Sequence, residues 1–114
     1  MENCRRKFPR SQFHQTAASP PSEFSDGEFD LIYSYSVFTH LSEENHIAWL
    51  GELARLLKPG GIMAQWIPLH SQGKQEILMH FKTFLSVFPH AIAWMPVANE
   101  LLVIGSNRPI DIDF

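Results

Sequence analysis

Cysteine is almost absent from this chain of 114 residues: Cys4 stands alone, so no internal disulfide can form and a reducing compartment is the default. Long apolar runs are missing as well. No stretch approaches the roughly 18 residues needed to cross a bilayer, and the first twenty residues have no apolar core of the kind a secretory signal requires. The expectation is a soluble, cytoplasmic protein. Positive charge is scarce: nine Lys and Arg against twelve Asp and Glu give a net charge of −3, which removes the electrostatic case for nucleic acid. The cluster Arg5, Arg6, Lys7 and Arg10 reads as a solvated terminus. The six glycines (Gly27, Gly51, Gly60, Gly61, Gly73, Gly105) include no Gly-x-Gly, and no phosphate-binding loop, Gly-x-Ser-x-Gly or paired carboxylate motif occurs. The histidines show no i, i+4 pair and Cys4 is far from any of them in sequence, so no metal site is expected.

The residues that are present, 45% of them apolar, suffice for one domain with one core. Residues 1–28 are rich in Ser, Pro and Arg and lack periodicity, with Pro20-Pro21 and Ser25-Asp26-Gly27 as turn signals. Phe29 to Ser36 is dense in β-branched and aromatic residues and reads as a buried strand. Ser42 is a plausible N-cap, with Glu43 and Glu44 in the first turn. Ile47, Leu50, Leu53, Ala54 and Leu57 then form an apolar stripe, and Pro59-Gly60-Gly61 stops the helix after Lys58. Ile62 to Pro68 is a second strand. Ile77, Phe81, Phe84, Leu85 and Phe88 mark a second amphipathic helix ended by Pro89. Ala91 to Met95 and Leu101 to Gly105 are strands separated by only five residues, too few for a crossover, and so form an antiparallel hairpin. Trp49, Trp66 and Trp94 fall on element faces and read as core. The class is α/β, with a mostly parallel sheet, two packing helices and a C-terminal antiparallel hairpin.

Ligands of open α/β sheets bind beyond the carboxyl ends of the strands. For the first strand that edge is Ser34, Tyr35, Ser36 and the loop Val37-Phe38-Thr39-His40. Two readings stand side by side. The hydroxyls and imidazole meet a ligand, with His40 as general base, or they bond nearby backbone and His40 helps enter the helix.

The run FDLIYSYSVFTHLSEENHIAWLGELARLLKPGG, Phe29 to Gly61, resembles the second half of a class I S-adenosylmethionine-dependent methyltransferase. Residues 20–30 are similar to that family's approach to its fourth strand, and Leu57-Lys58-Pro59-Gly60-Gly61 to its turn into strand five. The resemblance implies Glu23 and Phe24 near the adenine of S-adenosylmethionine. It implies Ser34, Tyr35 and Ser36 beside the methionine portion, and a catalytic His40 facing the methyl acceptor. From about Gln65 to Asp113 the chain resembles the carboxyl end of spermidine-synthase-like proteins, which share the fold. Their Asp-x-x-Asp-Pro loop after strand four is replaced here by Ser36-Val37-Phe38-Thr39-His40, which favours methyl transfer over polyamine synthesis. Both families carry a Gly-rich turn after strand one and an acid after strand two, and neither has a counterpart here. The resemblance therefore implies a partial Rossmann-like fold, family strands 4-5-7-6. Residues 1–28 would be a poorly structured amino-terminal segment and 29–114 a methyltransferase-like half-domain. Three functional expectations follow: a methyltransferase completed by self-association or a partner chain, a polyamine-synthase-like protein, or a non-catalytic remnant acting as an interaction module. Cofactor binding by the chain alone is expected to be weak or absent. The strand edge 29–36, lacking its family neighbour, is expected to pair with another copy or a partner chain.

Overall fold

Ser42 caps the first long helix as its position requires: its hydroxyl accepts a hydrogen bond from the Asn45 N–H at 3.3 Å, meeting one of the four free donors of the first turn. The computed structural model describes residues 2–35, 37–38, 41–70 and 72–112. After a short helix α1 (Glu2–Lys7) come β1 (Phe29–Ser34), α2 (Glu43–Leu56), β2 (Leu57–Pro68), α3 (Lys74–Val87), β3 (His90–Val97) and β4 (Glu100–Ser106). Helix α2 ends before the Lys-Pro-Gly-Gly stop. Leu57 is already extended, at φ −77° and ψ 137°, and its N–H returns to the Leu53 carbonyl. Proline disfavours α geometry in the residue before it, so Lys58 joins the strand. Gly60 then turns at φ +78°. Strand β2 consequently starts five residues earlier than the apolar run from Ile62 suggests.

The four strands lie in the order β1-β2-β4-β3. Strands β1 and β2 are parallel, while β2 with β4 and β3 with β4 are antiparallel. The sheet is therefore mixed, and the expectation of a mostly parallel sheet is corrected: β4, the one reversed strand, inserts between β2 and β3 and so makes two of the three ladders antiparallel. The hairpin turn is tighter than expected. Strand β3 extends to Val97 and leaves only Ala98 and Asn99 between the strands, with Asn99 at φ 65°, a left-handed conformation that asparagine tolerates.

Helices α2 and α3 pack against each other and cover one face of this sheet, where Leu50, Met63, Ile67, Phe84, Phe88 and Val103 form the buried centre. Gly105 permits that packing. A Cβ there would lie 2.5 Å from the Phe84 ring and 2.8 Å from the Phe88 Cβ. The stripes read from the sequence are buried only in part. Leu50, Phe84 and Phe88 are interior, but Ile47 and Leu85 are exposed, and His46, Glu52, His80 and Thr83 are buried in their place. The opposite sheet face is open. In-register rows cross it, Tyr33–Ala64–Ile104–Ile92 and, beside Tyr35, Trp66–Leu102–Trp94. Leu31, Tyr33, Tyr35 and Trp94 on this face are 59%, 76%, 64% and 58% exposed. Trp94 is thus not core. Alternation in a strand identifies an apolar face and leaves open whether a second layer covers it.

Candidate functional site

Strand β1 carries Ser34 and Tyr35 to the carboxyl end of its parallel pair with β2, where Ser34 lies opposite Gln65. They point to opposite sides of the sheet, as neighbours in a strand must. Tyr35 stacks on Trp66 with ring centroids 4.5 Å apart and planes at 30°. Among the described residues, the Ser34 hydroxyl is buried without a hydrogen-bond partner. Around this strand end is a cavity of about 380 Å³, bounded by Ile32 to Tyr35, by Trp49 and Leu53 of α2, and by the strap Thr16–Ala18. The Trp49 indole N–H donates to the Ala18 carbonyl at 3.0 Å and holds that strap in place. The lining is mainly apolar, with hydroxyls from Ser34, Tyr33 and Tyr35, a composition that suits a small-molecule site.

The sequence-derived residues do not all meet there. Ser34 and Tyr35 line the cavity, and Ser36 and His40 lie outside the described residues. Glu23 and Phe24 sit at the other end of β1: Phe24 packs edge-on against Phe29 with centroids 5.2 Å apart, and Glu23 pairs with His14. At about 3.3 Å per residue, Phe29 and Ser34 are roughly 16 Å apart, so the two groups occupy different ends of the strand.

What holds Phe24 is a polar face of α2 that sequence reading missed. The Arg55 guanidinium donates to Glu52 at 2.6 and 2.8 Å and to the Phe24 carbonyl at 2.9 Å, and also pairs with Asp26. Glu52 in turn accepts from the Ser22 N–H. The Arg55 hydrogen bonds are the main cause that lowers the Glu52 pKa to about 2, and those that Arg55 donates to Glu52 and Asp26 raise its own. The signal was available. Trp49, Glu52 and Arg55 recur at spacing three, along one side of a helix.

A second polar cluster lies on the covered face. His46 of α2, Gln65 of β2 and His80 of α3 are 0%, 0% and 3% exposed. The His46 Nε2 and Gln65 Oε1 are 3.4 Å apart, the two imidazoles lie 5.3 Å apart, and Phe38 stacks on His46. Burial lowers the pKa of both histidines, reinforced at His46 by the neighbouring His80 and opposed at His80 by Glu76. Both are neutral imidazoles at pH 7.

An open α/β sheet with a cavity at a strand's carboxyl end is the arrangement in which α/β proteins hold small ligands. Residues 1–65 match the family model described as "Methyltransferase domain"; the chain belongs to that family and has the fold of class I S-adenosylmethionine-dependent methyltransferases. Two solved structures agree on the fold. A TehB-like SAM-dependent methyltransferase from Corynebacterium glutamicum superposes with a TM-score of 0.63 at 13% identity, over 92% of this chain and 61% of its own. PigF with SAH superposes with a TM-score of 0.58 at 18% identity, over 74% of this chain and 35% of its own. The chain thus spans less than two thirds of the first and about a third of the second. No curated protein matches it.

Proposed function

We propose that this chain is the methyl-acceptor-side portion of an S-adenosylmethionine-dependent methyltransferase. In this reading the cavity at Ser34 and Tyr35 borders the methionine end of the cofactor. The observation that carries it is the unpartnered Ser34 hydroxyl in a cavity at the carboxyl end of β1, within the segment that matches the family. The cavity suits part of the cofactor. Ser34 offers a hydrogen bond to a polar group, and Tyr35, stacked on one side by Trp66, offers its other ring face to a cation such as a sulfonium. The cofactor would supply an electrophilic methyl group, and the protein's share is orientation and exclusion of water. The strand order β1-β2-β4-β3 supports reading these strands as family strands 4-5-7-6. The relatives' greater length supports a cofactor cradle supplied by further polypeptide beyond these residues. A polyamine-synthase reading lacks support, because Ser36 and Thr39 stand where that family carries acidic residues.

The test is a titration of the chain with S-adenosylhomocysteine, followed by amide NMR and calorimetry. Weak binding is expected, with Kd above about 100 µM (about 5.5 kcal/mol), and with shifts confined to Ile32–Phe38 and the strap Thr16–Ala18. Absence of any shift at millimolar ligand, or shifts centred on Phe24 instead, would refute the assignment of this cavity.

A further inference from the structure

We propose that a second pocket, between the approach to α2 and the first turns of α3, anchors an ammonium group of the methyl acceptor. Its volume is about 250 Å³, and it is lined by Leu41, Gln72, Glu76, Met79 and His80. Leu41 follows the carboxyl end of β1 and Gln72 that of β2, so the pocket stands at the edge where parallel strands present ligands. His80, in its wall, meets His46 between the two helices, which places the pocket on the covered side of the sheet. Leu41 also lines the cavity at Ser34. One side chain thus borders both spaces.

The wall is rich in acceptors. Gln72 Nε2 donates to the Pro68 carbonyl at 3.1 Å. A carbonyl can only accept, so this bond fixes which end of the amide is the oxygen. That oxygen, Oε1, is buried and has no hydrogen-bond partner among the described residues, and the same holds for His80 Nδ1. His80 is 3% exposed, and its Nδ1 accepts in the tautomer protonated at Nε2. Buried polar atoms left unpaired are costly, and a donor in the pocket would satisfy both.

Glu76 decides the sign of the charge. A helix N-terminus alone favours an anion, but Glu76 already takes that place, its Oε2 accepting the Gly73 N–H at 3.3 Å. A second anion would meet like charge. An ammonium instead brings three N–H donors to a carboxylate, an amide oxygen and an imidazole nitrogen. Its nitrogen has no lone pair, so it cannot itself attack a methyl group. The acceptor is therefore an amino compound whose nucleophilic atom is a different one, reaching past Leu41 toward Ser34. That the amine belongs to the methyl acceptor rests on the reaction proposed above. The pocket's preference for an ammonium does not.

Titrations with n-butylammonium, n-butyrate and n-butanol at constant ionic strength test the pocket, read by NMR at the Gln72 side-chain amide and the Met79 methyl. Butylammonium is expected to shift both with a millimolar Kd, and butyrate to shift neither. Glu76→Gln, which keeps an acceptor for the Gly73 N–H, should weaken butylammonium about threefold, within the range of exposed ion pairs. Glu28→Gln, at the far end of β1, should match wild type. Should Glu76→Gln unfold the protein by circular dichroism, Gln72→Leu decides by the same comparison. No shift at tens of millimolar butylammonium overturns the proposal. So does butanol bound as tightly as butylammonium, or a folded Glu76→Gln that binds as wild type does. S-adenosylhomocysteine is titrated in parallel. Shifts around Ser34 with no response to butylammonium would overturn the ammonium site alone. A butylammonium response with no S-adenosylhomocysteine shift would instead overturn the methyl acceptor as the source of the amine.

Discussion

Glu52 couples a helix to the segment before the first strand, and its chemistry sets an acid limit on the fold. Its pKa is about 2 when folded against an ordinary carboxylate value near 4.3. The unfolded chain therefore binds more protons between these values. The contribution of Glu52 to stability is complete above about pH 4.5 and is lost as pH falls toward 2. Glu52→Gln should lower stability at pH 7 by about 1.5–3 kcal/mol, the scale of a hydrogen bond to a charged group, and should flatten the decline between pH 4.5 and 2. Urea titrations at pH 7, 4.5 and 3 measure both. The buried histidines act in a different window. Their folded pKa values lie below the ordinary value near 6.5, so stability is full above about pH 6.5 and declines below it, where the unfolded chain charges first. The groups that face His80 are His46 and Glu76. His80→Leu removes a buried nitrogen that has no partner among the described residues and should flatten the slope between pH 6.5 and 5. An unchanged slope would show that His80 is not one of the groups responsible.

Among the elements, two glycines have opposite predicted responses. Gly105 lies on β4 under α3, and its missing Cβ leaves the space that the Phe84 ring fills. Gly105→Ala should cost about 1–3 kcal/mol, the range of overpacked cores. Gly51 sits inside α2, and none of the described residues lies within 4 Å of where a Cβ would stand. Gly51→Ala should stabilise by about 0.5–1 kcal/mol, by helix propensity and reduced unfolded-state entropy. Thermal denaturation of the two variants checks the pair, and equal effects would contradict the packing described here. Both elements were legible in the sequence because their signals are local: Ser42 caps, Pro59 stops, and a short gap forces a hairpin. The end of α2 was misread, since the extended state of Leu57 and Lys58 depends on pairing with β1, which periodicity does not encode. The polar interior at His46, Gln65 and His80 was invisible for a related reason. Three residues from three elements meet only after the helices pack, and each alone resembles a surface residue. The site was half legible. Ser34 and Tyr35 follow from the rule about strand ends, whereas Phe24 is drawn to the opposite end of β1 by Phe29 and Arg55.

On the scale of the whole molecule, the sheet is covered on one face and β2 is paired on both sides, to β1 and to β4. Stability should therefore be graded rather than uniform. Amides of β2 and β4, central and backed by α2 and α3, open only with the whole fold. Those of β1 and β3 each have one strand neighbour and should exchange faster. Native-state hydrogen exchange should thus find the slowest amides at Met63 to Ile67 and Leu101 to Gly105, and amides of β1 or β3 as slow as these would show instead that the sheet opens as one unit.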